Sequence, residues 1–339
     1  MFHYISRRLL QAIPTVFGIT LITYLVMLAA PGDPITLLTF DPSTTAEDAQ
    51  ILRRQLGLDK PPLTQYVYWL IGNDWTEIDV DGDGVGDIQG TRRGLLRGDL
   101  GQSIQQRRPV MDLLIERLPV TLQLTGSALV VGYAIGLLFG VAGAIFHGSL
   151  IDQLIRVLSV IGIAIPSFWL GLLLLLVFSV ELRWLPLGGS RSISGGGFVD
   201  TLRHMILPVS VLSFGTISTV SRFIRAEILE VKEQDYIRTA YGKGLPTRLV
   251  IVRHVLRNAL IPVATLLGAA LGSLLGGAVV IEQVFSWPGM GRLLVNAVLQ
   301  RDFPLVMGSV VFNSILYIVG VLFSDILYGV LDPRVRYSD

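Results

Sequence analysis

Six long apolar stretches, almost free of charge, constrain the fold of this chain more than any other feature. A hydrocarbon core about 30 Å thick takes roughly 20 helical residues to cross, and backbone polar groups inside it must be paired within the chain. We therefore predict an all-α membrane protein with six transmembrane helices. The stretches are Leu9–Ala30, Leu118–Phe146, Val157–Val180, Met205–Ser221, Asn258–Ile281 and Phe303–Ser324.

The composition supports this class. Charged residues make up 16% of the 339 residues, whereas soluble domains carry roughly a quarter. The net charge is +1 and no basic stripe with interleaved aromatic residues occurs, so nucleic acid is not expected as a partner. The absence of cysteine excludes disulfides, thiolate metal sites and a cysteine nucleophile.

The distribution of positive charge predicts how the chain crosses the membrane. Cytoplasmic loops carry an excess of Lys and Arg, and an inside N-terminus assigns thirteen cations to the cytoplasm and five to the short outer loops. Both termini are therefore expected in the cytoplasm. The first span follows Arg7 and Arg8 but lacks a small-residue cleavage site, so we interpret it as an uncleaved signal anchor.

These assignments divide the chain into four regions. Residues 1–30 are the signal-anchor helix, and residues 31–117 are a large extracytoplasmic region with an acidic loop and an interfacial helix at Pro109–Pro119. Residues 118–331 are a five-helix membrane core whose cytoplasmic loop is 222–257, and residues 332–339 are a cytoplasmic tail.

Two spans carry glycines four residues apart, which lets backbones approach closely along one helical face. These ladders could pack within the chain, meet a second subunit or line a pathway, and the sequence leaves all three open. The glycines are Gly132, Gly136 and Gly140 in the second span and Gly268, Gly272 and Gly276 in the fifth.

Signatures of catalysis are absent from the sequence. "YGKG" lacks the earlier Gly and the following Ser or Thr of a phosphate-binding loop, and neither HExxH nor GxSxG occurs. No catalytic residue is predicted, and the chain is expected to be neither an enzyme nor a binder of a catalytic cofactor.

The stretch "DVDGDGVGD" is the one candidate metal site. Its carboxylates and one carbonyl match positions 1, 3, 5, 7 and 9 of a calcium loop, with Gly84 at position 6. Gly90 replaces the glutamate of position 12, so the match is incomplete, and a solvated acidic turn is the alternative. Calcium would be a structural clip here. The predicted ligands are Asp79, Asp81, Asp83, Val85 and Asp87.

The cytoplasmic loop is predicted to form a helix, a sharp turn and a second helix. "AEILEVKEQDYIRTAYGKG" favours a helix that Gly242, Gly244 and Pro246 end. Tyr236, Ile237, Ala240 and Tyr241 would give the turn an apolar and aromatic surface, typical of protein docking sites. A positive loop held at lipid headgroups is the alternative.

At this loop the sequence resembles the inner-membrane permease subunits of binding-protein-dependent ABC importers, in the dipeptide/oligopeptide/nickel branch. The pattern D-Y-x-R-T-A-x-x-K-G-L followed by R-H-x-L-R-N-A-L-I-P is present at Asp235–Leu245 and Arg253–Pro262. Further similar segments are "RRLLQAIP" (7–14), "APGDP" (30–34), "GDLGQS" (98–103), "FSWPGMGRLL" (285–294), "RDFPLVMG" (301–308) and "DPRVRY" (332–337). These segments are spread along most of the chain, from residue 7 to residue 337, and the acidic loop at 79–87 departs from the family pattern.

The resemblance implies an ABC importer permease fold and a coupling helix that docks on a cytoplasmic ATPase subunit. ATP and Mg²⁺ would bind to one or two ATPase subunits, beside a second homologous permease, an extracytoplasmic substrate-binding protein and membrane lipid. The implied coupling residues are Asp235, Tyr236, Arg238, Thr239, Ala240, Tyr241, Gly242, Lys243, Gly244 and Leu245.

The implied function is ATP-driven import of dipeptides or oligopeptides through the prokaryotic cytoplasmic membrane. A nickel-chelate or glutathione importer of the same family stays open, and an ion-driven carrier is the alternative from another class. The residues that bind substrate are not identified by the sequence.

Overall fold

A computed structural model of the protein describes residues 2–29, 35, 46–192, 195–260, 263, 266, 270 and 278–331. The "APGDP" segment, most of the predicted fifth span with its three glycines, and the tail 332–339 lie outside the described residues. The regular secondary structure of the described part is helical apart from the two-stranded antiparallel sheet of β1 (Glu77–Ile78) and β2 (Ile88–Gln89).

The helices are numbered here in chain order, and two of them continue as π-helical segments, Leu175–Glu181 after α6 and Ile251–Leu256 after α9. They are α1 Phe2–Ala29, α2 Ala46–Gln55, α3 Pro62–Ile71, α4 Val110–Ile145, α5 Leu150–Ala164, α6 Ser167–Leu174, α7 Phe198–Lys232, α8 Asp235–Gly242, α9 Thr247–Val250, α10 Arg257–Ala259, α11 Val279–Val284, α12 Met290–Leu299 and α13 Phe303–Leu331.

Four described helices are long and apolar enough to cross a membrane, namely those at Ser6–Ala29, Val110–Ile145, Phe198–Lys232 and Phe303–Phe323. The predicted third span is not one straight helix. Instead α5 and α6 are bent by 103° at a break that contains Pro166, because proline lacks the backbone donor and clashes with the preceding turn. Counting this pair as one broken span gives five.

Two boundaries differ from the sequence predictions. The segment Pro109–Pro119 is not a separate interfacial helix, because α4 runs without interruption from Val110 through Pro119. The helix predicted to reach Gly242 is interrupted, since α7 ends at Lys232 and α8 begins at Asp235.

The chain forms two compact units. The first unit comprises Phe2–Pro119 and Leu293–Ile315. In it, α3 packs on α1 through the rings of Phe17, Tyr24, Tyr66 and Trp69, and the Thr20 hydroxyl lies 2.9 Å from that of Tyr66. In the chain, α2 lies between these two helices.

The second unit comprises the described residues within 120–292 and 316–331. Here the glycine ladder of α4 faces α7: a Cβ on Gly132, Gly136 or Gly140 would lie within 2.8 Å of side-chain atoms of Thr216, Val220 or Ile224. The structure therefore supports packing within the chain for these three glycines, because the absence of a side chain lets the backbones of α4 and α7 approach closely.

Candidate functional site

The loop between α7 and α10 forms a short helix held between two turns. Gln234 is extended and precedes α8. After α8, Gly244 has φ +76° and its N–H donates to the carbonyl of Tyr241 over 2.9 Å. Pro246 then precedes α9, where a fixed φ suits a helix start. The predicted helix–turn–helix arrangement is confirmed, with an additional break at Glu233–Gln234.

One face of α8 is buried. Ile237 is 1% exposed and Ala240 is 7% exposed. Both lie in an apolar cluster, here called the loop cluster, and Leu245 packs against it. The expectation that Ile237 and Ala240 form a contact surface was therefore wrong, because eight residues cannot form a stable helix without burying apolar groups. The cluster consists of Ala144, Val220, Ile224, Ile228, Ile237, Ala240, Val250, Val255 and Ala259.

The opposite face of α8 is exposed and mixes aromatic rings with charge. Tyr236 is 45% exposed and Tyr241 is 41% exposed. Arg238 lies 3.6 Å from Asp235 in an exposed ion pair, a type that contributes little stability. These residues form the tip surface, together with Thr239, Gly242, Lys243 and Gly244, which are also exposed. Tyr and Arg are enriched where protein partners bind.

The tip surface is also tied to the following helix. The Nδ2 of Asn258 donates to the Tyr236 hydroxyl over 3.1 Å and to the His254 carbonyl over 2.9 Å. The hydroxyl of Thr239 donates to the carbonyl of Asp235 over 2.9 Å. These bonds connect the Tyr236 ring to α10 and the Thr239 side chain to the first turn of α8.

The acidic loop brings three of its predicted ligands together. Carboxylate oxygens of Asp79, Asp81 and Asp87 lie within 4.8 Å of one another, but Asp83 is outside this group. β1 and β2 close the loop at its base through the pair Ile78 and Ile88. Calcium binding by this loop stays a prediction, since oxygen ligands in this arrangement suit calcium but also occur in solvated turns.

Two features of the acidic loop act on its charge. The N–H groups of Gly82 and Gly84 donate to the Asp79 carboxylate. The bond from Gly82 contributes most to holding the pKa of Asp79 below its ordinary value, and the bond from Gly84 and the positive charge of Arg54 lower it further. Arg54 donates to the Val80 carbonyl over 3.3 Å. The Asp79 carboxylate therefore lies beside the Arg54 guanidinium, a cation that would compete with a metal ion for this site.

Sequence reasoning missed three carboxylates that are buried in the described part of the chain, those of Asp152, Glu282 and Asp302. Glu282 is fully buried in the second unit and accepts the Thr121 hydroxyl over 2.7 Å and the Arg292 N–H over 3.0 Å. Asp302 is fully buried in the first unit, where it accepts the Ser103 hydroxyl and the Ile104 N–H. Asp302 belongs to "RDFPLVMG", a segment that carried the family resemblance, whereas Glu282 lies three residues before "FSWPGMGRLL" and outside every such segment.

Comparison with known proteins identifies the family. Residues 132–337 match the family described as "Binding-protein-dependent transport system inner membrane component", and residues 1–125 match its N-terminal family. Among solved structures, an inward-facing form of the MetNI methionine ABC transporter has a TM-score of 0.52 at 16% identity, covering 66% of this chain and 98% of that one. This similarity shows the fold.

Curated relatives match over nearly the full length. The oligopeptide transport system permease protein AppB of Bacillus subtilis is 40% identical, over 99% of this chain and all of that one. The glutathione permease GsiC and the dipeptide permease DppB of Escherichia coli are 37% and 36% identical, each over all of both chains. The chain therefore belongs to the family of inner-membrane components of binding-protein-dependent transport systems, as a multi-pass permease of the dipeptide/oligopeptide branch.

Proposed function

We propose that this chain is the permease subunit of an ATP-driven importer of dipeptides or oligopeptides. The observation that carries the proposal is the full-length similarity to AppB, named as an oligopeptide permease, at 40% identity. Similarity to DppB supports dipeptides as the smaller substrate class. In this role the chain forms a translocation path with a second, homologous permease, with six spans and both termini in the cytoplasm.

The tip surface of α8 is the proposed contact with the ATPase. It offers two exposed tyrosines and an exposed arginine, while the buried face of the same helix is fixed in the loop cluster. A displacement of the tip by the ATPase would therefore move the packed helices behind it. ATP and Mg²⁺ bind to the ATPase in this scheme, and an extracytoplasmic binding protein delivers the substrate.

Glutathione is the alternative substrate with a specific observation behind it. GsiC, named as a glutathione permease, is 37% identical over the whole of both chains. Glutathione is itself a small peptide, so one path could carry either class and the binding protein would select between them.

The test uses the complete complex of both permeases, the ATPases and the binding protein, reconstituted in liposomes. The substrate pool contains di- to pentapeptides and glutathione, and mass spectrometry measures their uptake. One set of liposomes is supplied with ATP, and the other set has ion gradients but no ATP. ATP-dependent uptake of peptides is expected. Uptake driven by an ion gradient without ATP would contradict the proposal, and uptake of glutathione alone would establish the alternative.

The docking surface is tested in the same complex. Replacing Arg238 and Tyr241 with serine is expected to reduce co-purification of the ATPase at least tenfold, because hot-spot residues of these types dominate binding energy. Arg93→Ser changes an exposed arginine of the first unit and serves as the control. Normal co-purification of the tip variant would exclude α8 as the docking site.

A further inference from the structure

Arg225 on α7 binds Asp152 at the start of α5 with two parallel hydrogen bonds. Nε donates to Oδ1 over 2.6 Å and Nη2 donates to Oδ2 over 2.9 Å. The Asp152 side chain is 1% exposed and that of Arg225 is 18% exposed. A bidentate pair fixes the angle between its two planes as well as the distance, which a lysine could not do.

The Asp152 carboxylate is held from its own side as well. The Gly148 N–H donates to Oδ2 over 3.0 Å, and the Ser149 hydroxyl, which caps α5, accepts from the Asp152 N–H over 3.4 Å. Arg156, the other cation nearby, is half exposed and lies 3.7 Å from Oδ1. The Asp152 carboxylate is therefore held in place at the first turn of α5, and its ion pair with Arg225 links that turn to α7.

Behind the ion pair, α5 and α7 approach closely along small residues. The hydroxyls of Ser159 and Ser221 lie 2.9 Å apart in the buried contact. A Cβ on Gly162 would collide with the Ser218 side chain. The Phe214 ring also lies beside Gly162, but van der Waals contacts give little directional restraint. The ion pair supplies that restraint at the end nearest to α8.

The same turn of α7 faces the loop cluster. Ile224 and Ile228, on either side of Arg225 in sequence, are fully buried in the cluster with Ile237 and Ala240 of α8. Lys232, near the end of α7, donates to the Ala144 carbonyl of α4 over 3.0 Å. One turn of α7 thus connects α8 by apolar packing and α5 by an oriented ion pair.

Stability alone does not explain this pair. Replacing a buried ion pair by apolar residues of similar volume is often neutral or stabilising, whereas removing one partner leaves an uncompensated charge. We propose that Asp152 and Arg225 are positioning residues that make α5 follow α7 when the ATPase displaces α8. The inference rests on the proposed function, since it needs α8 to be the ATPase contact.

The experiment measures peptide uptake per ATP hydrolysed by the reconstituted complex described above. Asp152→Asn and Arg225→Gln are each expected to lower this ratio roughly tenfold, with the ATPase still co-purifying. The double variant should be no worse than either single one, because the two residues act as one unit. Arg225→Lys should also lower the ratio, since it keeps the charge but loses the bidentate geometry. Arg156→Gln is the matched control and should leave the ratio unchanged.

A second variant keeps the test decisive if the single variants misfold. Asp152→Leu with Arg225→Met replaces the pair by apolar groups, so the complex should assemble while the ratio falls. A normal ratio in this variant, or in Arg225→Lys, would overturn the inference and leave the pair structural. Loss of ATPase co-purification in the Arg238/Tyr241 tip variant, together with a normal ratio in all pair variants, would overturn the inference but leave the proposed function in place. A wild-type complex without bound ATPase would overturn the proposed function as well.

Discussion

The Thr121 hydroxyl donates to the buried Glu282 carboxylate over 2.7 Å, and the Oγ1 atom of Thr121 also accepts the Met290 N–H over 2.8 Å. Arg292, two residues into α12, donates its N–H to the other carboxylate oxygen. Glu282 thus stabilises the N-terminus of a helix that begins eight residues later. Gly289 and Gly291 make room, since a Cβ on either would crowd the carboxylate.

We predict that Glu282→Gln destabilises the protein by about 1–3 kcal/mol, the cost of leaving a buried donor unpaired. The amide offers one acceptor where the carboxylate offers two, so either Thr121 or Arg292 loses its bond. Thermal unfolding in detergent measures the effect. Glu181→Gln, at an exposed glutamate, is the control, and an equal loss in both variants would contradict this role.

The pH dependence of stability should depend on the same residue. Burial raises the pKa of Glu282 above its ordinary value, despite bonds from Thr121 and Arg292 that lower it. Between the ordinary and the raised pKa, the folded state holds a proton that the unfolded state has lost. The contribution of Glu282 to stability is therefore complete below the ordinary pKa and is lost as pH rises through the raised one. Melting temperatures across pH 4 to 8 should show this decline in the wild type and a shallower one in Glu282→Gln.

Gly136→Ala should destabilise the packing of α4 on α7. A Cβ at Gly136 would lie 2.8 Å from that of Val220, and such overpacking costs about 1–3 kcal/mol. Gly126 is the matched control on the same helix, because a Cβ there meets nothing within 4 Å. Gly126→Ala should be neutral or stabilising by up to about 1 kcal/mol. A similar melting temperature for both variants would show that α4 and α7 can separate without cost.

Calcium should protect the acidic loop from limited proteolysis at concentrations of about 10⁻⁴–10⁻³ M, the range of weak extracellular sites. Asp79→Asn should abolish this protection, whereas Asp83→Asn should retain it, because Asp83 lies outside the group of converging carboxylates. Arg54→Gln should lower the calcium concentration required, since it removes the cation beside Asp79. Chelation that leaves the cleavage rate of the wild type unchanged would exclude the site.

Gly244 allows a test of the turn that follows α8. Its φ of +76° is in the left-handed region, and a Cβ there would meet nothing within 4 Å. Backbone strain is therefore the main cost of placing a side chain at this position. Gly244→Asn should retain ATPase co-purification and Gly244→Val should lose most of it, because asparagine tolerates this conformation and β-branched residues do not. Equal behaviour of the two would show that the turn does not position the tip.

Local sequence patterns predicted the helical class, the four long apolar helices that the structure describes and the turn after α8. These patterns failed to predict features that depend on contacts with residues far away in the sequence. Pro166 accompanies a 103° bend, whereas Pro119 and Pro208 lie inside continuous helices. The local sequence does not show which of the three prolines breaks its helix. The packing that holds a helix together across a proline comes from elsewhere in the chain.

The two sites illustrate the same limit. The acidic loop was predictable because its carboxylates are close in sequence, yet the exclusion of Asp83 depends on loop geometry. Glu282 was missed because its partner Thr121 is 161 residues away. A glutamate after an apolar run resembles a surface charge until both segments are placed together.

The division of α8 into a buried and an exposed face also affects how relatives of this protein could diverge. Ile237 and Ala240 determine whether the eight-residue helix folds onto the loop cluster, while Tyr236, Arg238 and Tyr241 determine what it presents. If α8 is the ATPase contact, as proposed above, paralogous subunits can exchange exposed side chains of the tip surface, and with them the choice of ATPase, without repacking the protein.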